Sequence, residues 1–269
     1  MQSYFKDKVI WITGATSGVG KAIAEQFISW NVSVILSGSS LSKLEQAFPY
    51  RNDDTQKFLP FNLSAFNPEE IVQDAFRFFN RIDILYNNAG ISQHSKIKYT
   101  PDHLSRKFME VNYFGNIFLT KALLPIFENQ GSGQVIVTSS IIGLFGQPLL
   151  GSYAASKHAI NGWYESLQYE LKDVNINATL IILGFVNTDI SKKSLRYNGE
   201  LYNKNSPAQE KGLSTKKCAL EIIKATTNNK RRKYIGGLEL MMHRVRFFSP
   251  NLFFKLLSFL NKGKMSSCV

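Results

Sequence analysis

Cysteine is scarce. Two residues of this type, Cys218 and Cys268, occur in 269, too few and too close to one end for a disulfide framework, so a reducing compartment is expected. Neither reads as a reactive thiol, and no metal site is expected. Long apolar runs are absent too: the longest, Ala178 to Val186, falls well short of the roughly 18–20 residues that cross a bilayer. The first eight residues, Met1 to Lys8, lack the basic segment followed by an apolar stretch that marks a secretory signal, and a cytoplasmic start is expected. Acidic side chains are outnumbered, 20 against 32 basic, for a net charge of +12. Net charge alone says nothing about fold, but its placement is informative. From Lys230 onward nine basic residues face Glu239 alone, so +8 of the +12 sits there. That end carries no recognisable nucleic-acid module, and no nucleic-acid partner is expected.

What the chain does have is alternation. Apolar segments at Lys8–Thr13, Val32–Leu36, Lys57–Phe61, Asp83–Tyr86, Gln134–Thr138, Ile176–Leu183 and Lys233–Ile235 read as strands, and helical patterns separate them. A 44% hydrophobic content suffices for a full core at this length. The alternation implies an α/β fold in one domain over residues 1–237, with a helical extension over 238–269. Within the domain, Thr188 to Ser214 loses its periodicity and is expected to be a lid or a disordered loop.

Three places carry chemistry. The first strand runs into Gly14-Ala-Thr16-Ser17-Gly18-Val19-Gly20 and then a helix, where glycines allow a tight turn and the helix N-terminus offers free N–H groups to a phosphate. A glycine turn that binds nothing has the same spacing. The fourth strand enters Asn87-Asn88-Ala89-Gly90, at the carboxyl end of a strand, where open α/β sheets hold their ligands. The third place is Tyr153-Ala-Ala-Ser-Lys157. One helical turn puts an ammonium beside a phenol, and a neighbouring cation favours the phenolate. An ordinary amphipathic helix can show the same pair.

Taken together and in order, these segments resemble the short-chain dehydrogenase/reductase family over about residues 6–240. Its glycine motif stands as Thr13-Gly14-Ala15-Thr16-Ser17-Gly18-Val19-Gly20, its Asn-Asn-Ala-Gly as Asn87 to Gly90, and its catalytic quartet as Asn112, Ser140, Tyr153 and Lys157. The resemblance implies a Rossmann fold, a doubly wound parallel sheet of about seven strands, and hydride transfer between a nicotinamide and a carbonyl or alcohol. Tyr153 would be the acid or base and Ser140 would polarise the substrate oxygen. Lys157 would stabilise the phenolate and contact the nicotinamide ribose, and Asn112 would tie Lys157 to water. Cofactor contacts would come from Gly14, Thr16, Ser17, Gly18, Val19, Gly20, Ser39, Ser40, Asn62, Leu63, Asn88, Ala89, Gly90, Tyr153, Lys157, Gly184, Val186 and Thr188.

Departures from the family pattern matter. Leu183-Gly184 stands where Pro-Gly is common, and Asn62 where Asp often holds adenine. The position that is often Asp in NAD-preferring members is Gly38, and the next, often Arg in NADP-preferring members, is Ser39. With no carboxylate to repel a 2′-phosphate and with Ser39, Ser40 and Lys43 nearby, NADP(H) is favoured over NAD(H). Phe145, Phe185, Tyr197 and Tyr202 point to a lipophilic substrate of steroid, retinoid or fatty-acyl type. A dinucleotide-binding sensor or scaffold without turnover is the alternative. A homo-oligomer is expected, since the helices over 114–127 and 152–171 correspond to surfaces that pair in many family members. In the extension, Asn251, Lys255, Ser258 and Lys262 form a polar stripe beside Leu252, Phe253, Phe254, Leu256, Leu257, Phe259 and Leu260. Packing against the body or a partner subunit, and peripheral contact with a membrane, both remain open for residues 238–269.

Overall fold

The computed structural model describes residues 1–262; Lys264 and Cys268, which entered the reading above, lie outside them. The strands are β1 (Val9–Thr13), β2 (Ser33–Ser37), β3 (Gln56–Phe58), β4 (Ile84–Asn87), β5 (Gly133–Ser140), β6 (Ile176–Leu183), β7 (Val186–Asn187), β8 (Leu213–Ser214) and β9 (Arg232–Ile235). The α-helices are α1 (Gly18–Ser29), α2 (Leu41–Ala47), α3 (Pro68–Phe79), α4 (Asp102–Met109), α5 (Gly115–Gln130), α6 (Gly151–Glu170), α7 (Pro207–Glu210), α8 (Thr215–Thr227), α9 (Met242–Phe248) and α10 (Pro250–Leu260). Seven strands form one sheet in the order β3-β2-β1-β4-β5-β6-β9, and every neighbouring pair is parallel. The order reverses between β1 and β4, the switch point at which a doubly wound sheet opens a crevice at its carboxyl ends.

Successive residues of a strand point to opposite faces, so a strand buried on both sides must be apolar throughout. In β1, Val9 and Trp11 enter one core with α3, α5 and α6, while Ile10 and Ile12 enter the other with α1 and α8. Local chemistry sets the ends. Asn67 accepts from the N–H groups of Glu69 and Glu70 with Pro68 in the first turn of α3, and α5 stops at Gly131 with φ +69. Strand β3 is shorter than the expected 57–61, although Leu59 N–H and Phe61 N–H still donate to Leu36 O and Gly38 O at 3.0 Å; Pro60 between them lies on the sheet edge, where its missing N–H costs no bond. Strand β5 is longer, since Ser139 and Ser140 pair with Ile182 and Leu183. The two helical stretches expected after Pro101 are continuous: one π-helical stretch, Glu110–Phe114, joins α4 to α5.

The 188–214 segment, expected as a lid or a disordered loop, is largely without regular structure but is fastened at several points. Strand β7, just before it, pairs in parallel with β8 at its end. Leu195 bridges both Gln93 and Leu201. Leu195 N–H donates to Ser92 O at 2.9 Å, and His94 N–H donates to Leu195 O at 2.8 Å. Tyr202 stacks on His94 with ring centroids 3.5 Å apart. The segment is therefore tied to the loop that follows β4, by contacts too short in sequence to show a period.

Candidate active site

The glycine turn is built as its sequence suggests. Gly14 and Gly18 have φ +66 and +57, the left-handed region where a side chain is strained. A Cβ on Gly14 would lie 2.8 Å from Ala89 Cα, and one on Gly18 would lie 3.4 Å from Thr188 Cγ2. The turn, Asn88-Ala89-Gly90 and the start of the 188–214 segment thus converge at the carboxyl end of the sheet. Thr13 locks two of them together: its Oγ1 accepts from Asn88 N at 3.1 Å and Ala89 N at 3.2 Å. A cleft of about 330 Å³ borders Gly18, Lys21, Asn187, Thr188 and Thr215. It lies beside the glycine turn and does not include Tyr153.

The second-strand turn places Ser39 next to a cation. Lys43 Nζ donates to Ser39 Oγ at 3.2 Å on an exposed edge. Gly38 is buried, and a Cβ there would stand 2.7 Å from Thr16 Cγ2, so an aspartate at this position would push on the glycine turn as well as add charge. Asn62 is exposed, and its Oδ1 accepts from Ser64 N and Ser64 Oγ, at 3.1 and 2.9 Å. Leu63 packs where a Cβ on Gly115 would meet its Cδ2 at 2.9 Å.

Ser140, Tyr153 and Lys157 come together. Ser140 ends β5 and hydrogen-bonds the Tyr153 hydroxyl; its Oγ also accepts from Ile142 N at 3.2 Å. Lys157 Nζ donates to Thr138 O at 2.9 Å and lies 6.0 Å from the Tyr153 ring centroid. A Cβ on Gly90 would sit 3.1 Å from Asn112 Oδ1 and 3.6 Å from Lys157 Nζ, so Asn112 belongs to the same cluster. Its carboxamide bonds Ile91 N, Ile91 O and Ser156 Oγ at 2.9, 2.9 and 3.0 Å. The π-helical stretch carrying it is held by Asn116 Nδ2, which donates to Val111 O at 3.0 Å and Asn112 O at 3.2 Å.

The electrostatics depart from the expected lowering of the phenol's pKa. Burial pushes Tyr153 up, and the Ser140 hydrogen bond opposes that only in part. Burial also brings Lys157 down to about 8, because removing an ammonium from water disfavours its charge. In the chain alone, desolvation therefore prevails over the attraction between the two groups.

Two residues escaped the sequence reading. Gln93 is buried, and its Oε1 accepts from Ser152 N at 2.8 Å and Tyr153 N at 3.1 Å, capping α6 at the tyrosine itself. Glu239 takes the space at Gly184 where the family pattern has proline beside it: its Oε1 accepts from Phe185 N at 2.8 Å and Gly237 N at 2.9 Å. Only Gln93's place shortly after Asn88-Ala89-Gly90 hinted at a role. Of the aromatic candidates, Phe145 is buried against Phe253, with ring centroids 5.0 Å apart; Phe185 is half-buried and Tyr197 exposed. Cys218 is fully buried and its thiol is pushed up to about 12, which makes it inert.

A parallel doubly wound sheet with a glycine cradle at its switch point and a Ser-Tyr-Lys cluster beside it defines a dinucleotide-dependent oxidoreductase. Residues 8–198 match the family model described as short chain dehydrogenase. Rat dehydrogenase/reductase SDR family member 7B is 33% identical, over 96% of this chain and 82% of that protein. A Drosophila melanogaster SDR family protein 7-like is 32% identical, over 93% and 79%. A solved short-chain dehydrogenase/reductase from Burkholderia phymatum, in complex with NAD, superposes with a TM-score of 0.83 at 22% identity, covering 93% of this chain and 96% of that one. One from Burkholderia cenocepacia, in complex with NADP, gives 0.76 at 20%, covering 93% and 97%. The chain belongs to the short-chain dehydrogenase/reductase family and is an NAD(P)-dependent oxidoreductase.

Proposed function

We propose that the protein reduces or forms the carbonyl of a lipophilic substrate, with NADP(H) as the favoured cofactor. The convergence of Ser140, Tyr153 and Lys157 at the carboxyl ends of the sheet, beside Gly90, carries this reading. The nicotinamide, when bound, gives or takes the hydride. The chain's residues handle the proton and the oxygen. The Tyr153 hydroxyl donates its proton to the substrate oxygen in reduction and recovers it in oxidation. Ser140 orients that oxygen and the phenol together. Lys157, near the point of losing its own proton, stabilises the phenolate and reaches for the ribose. Asn112 holds the loop after β4 against α6 through Ile91 and Ser156. Gly14, Gly18 and Gly20 would hold the pyrophosphate, while Gly184, Val186 and Thr188 would hold the carboxamide end.

A lipophilic substrate is supported by the segment between Ser140 and Tyr153. From Ile141 to Leu150 its only polar side chain is Gln147. NADP(H) is supported by Lys43 reaching Ser39 and by the absence of a carboxylate at Gly38. The outer faces of α5 and α6 are the proposed homo-oligomer surfaces; Phe118 on α5 is exposed.

The test is a panel of lipophilic ketones and alcohols with both cofactors, followed at the reduced nicotinamide absorbance. Tyr153→Phe should lower kcat at least about 10²-fold with little change in cofactor affinity. A variant keeping more than about a tenth of wild-type kcat would remove Tyr153 from the chemistry. Tight cofactor binding with no turnover anywhere on the panel would favour the sensor reading instead.

A further inference from the structure

We propose that α9 and α10 form a docking surface for an anionic lipid bilayer and bring the segment between Ser140 and Tyr153 to its face. Three kinds of observation carry this beyond the amphipathic pattern. The first is exposure. Phe247, Phe248, Phe254 and Phe259 are 80%, 81%, 71% and 73% exposed, and Leu252, Leu256 and Phe259, spaced to share one helix face, are all uncovered. The body of the protein accounts for only part of α10: Phe253 is buried and Leu257 half-buried. Packing against the body and presenting an apolar flank are thus both true of this helix, on different sides.

Charge is the second. From Leu240 to Lys262 the chain holds Arg244, Arg246, Lys255 and Lys262 and no aspartate or glutamate. A second copy seated on this surface in a two-fold arrangement would set these cations against themselves. Anionic headgroups complement them, and aromatic and aliphatic side chains beside basic ones suit the boundary between headgroup and acyl chain. At about 1.5 Å per residue α10 is far too short to span, and no helix among the described residues is long and apolar enough to cross a membrane. It would lie in the interface.

Position is the third. Besides the stacking of His243 on Tyr234, three contacts of the pair and of Asn261 just after it reach one segment: Phe253 packs on Phe145, Arg246 Nη1 donates to Leu144 O, and Gln147 Nε2 reaches Asn261 Oδ1 at 3.5 Å. That segment leads directly from Ser140 to Tyr153. A lipid-borne substrate would meet the site from the side that touches lipid.

The experiment is sedimentation of the full chain with phosphatidylcholine vesicles, with and without phosphatidylserine, at low and high salt. Light scattering gives its oligomeric state alongside. The protein should pellet with phosphatidylserine vesicles, less so at high salt, and stay in solution with phosphatidylcholine alone. Arg244→Glu with Lys255→Glu should weaken binding at least about tenfold, and Phe247→Ser with Phe248→Ser should do the same through lost insertion. Both variants should keep wild-type unfolding midpoints and wild-type turnover of a small water-soluble carbonyl, which separates docking from catalysis. Protein that stays in the supernatant with phosphatidylserine vesicles at low salt overturns the proposal. So does unchanged binding by both variants, or a self-associated wild type that Phe247→Ser with Phe248→Ser turns into a monomer while vesicles fail to bind either.

Discussion

Replacing Lys157 by methionine should make the nucleotide-free protein more stable while removing its activity. The Lys157 ammonium is buried, and its pKa falls from the ordinary 10.5 to about 8. At about 1.4 kcal/mol per pH unit, holding the charge there costs roughly 3 kcal/mol at pH 7. Methionine keeps the unbranched stem and removes the charge. It also removes the hydrogen bond to Thr138 O, worth about 1–2 kcal/mol, so the variant should gain roughly 1–2 kcal/mol. The pH dependence gives the sharper test. Because the folded-state pKa lies below the unfolded one, the penalty is complete below pH 8 and disappears as pH rises from about 8 towards 10.5. Wild type should therefore gain on the variant across that window, whatever other groups titrate in both. Urea unfolding without nucleotide, at intervals from pH 7 to 10, measures the gap, and turnover of any accepted carbonyl measures the cost. A variant less stable at pH 7, with a gap that does not move between pH 8 and 10, would refute the account of a charge held for function against its own solvation.

Gln93→Leu should leave the N–H groups of Ser152 and Tyr153 without their acceptor, costing about 1–3 kcal/mol of stability. It should lower kcat more than it raises KM, with Gln93→Glu, which keeps the acceptor, recovering most of the loss; equal kinetics for Gln93→Leu and wild type would make the cap merely structural. Lys43→Glu should lower the NADPH-to-NADH ratio of kcat/KM by about tenfold or more, the size expected of one charge-assisted contact reversed. An unchanged ratio would move the 2′-phosphate contact elsewhere. This exposed position is a cleaner probe than an aspartate at Gly38, whose Cβ would disturb Thr16.

The inner strands of the sheet were legible because they are buried on both faces and so read as largely apolar runs, each followed by a helix of different period, while the edge strands β3 and β9 carry polar residues. The glycine turn and the Tyr153–Lys157 pair were legible because their chemistry depends on close spacing along the chain. Gln93 and Glu239 were not. Each acts on a backbone N–H far away in sequence, 60 residues for Gln93 and Tyr153 and 54 for Glu239 and Phe185, and although Glu239 also takes the nearby Gly237 N–H, no local pattern encodes the distant partner. The 188–214 segment hid its order for a related reason: isolated bridges and the two-residue strand that closes it carry no period. The direction of the Tyr153 shift depended on burial, which a spacing of four residues cannot report.

Glu239 also fixes an order of events during synthesis. All four reactive residues precede Leu183, whereas the carboxylate that takes the place of proline's stiffening lies 56 residues further on. At about 5–20 residues per second, roughly 3–11 seconds separate them as the chain is made. Through most of that interval β6 has no neighbour on its outer edge, since β9 has yet to be made, and Phe185 N–H has no acceptor from the extension. A ribosome-bound chain can thus hold its serine, tyrosine and lysine before the carboxylate that takes the Phe185 N–H has been made.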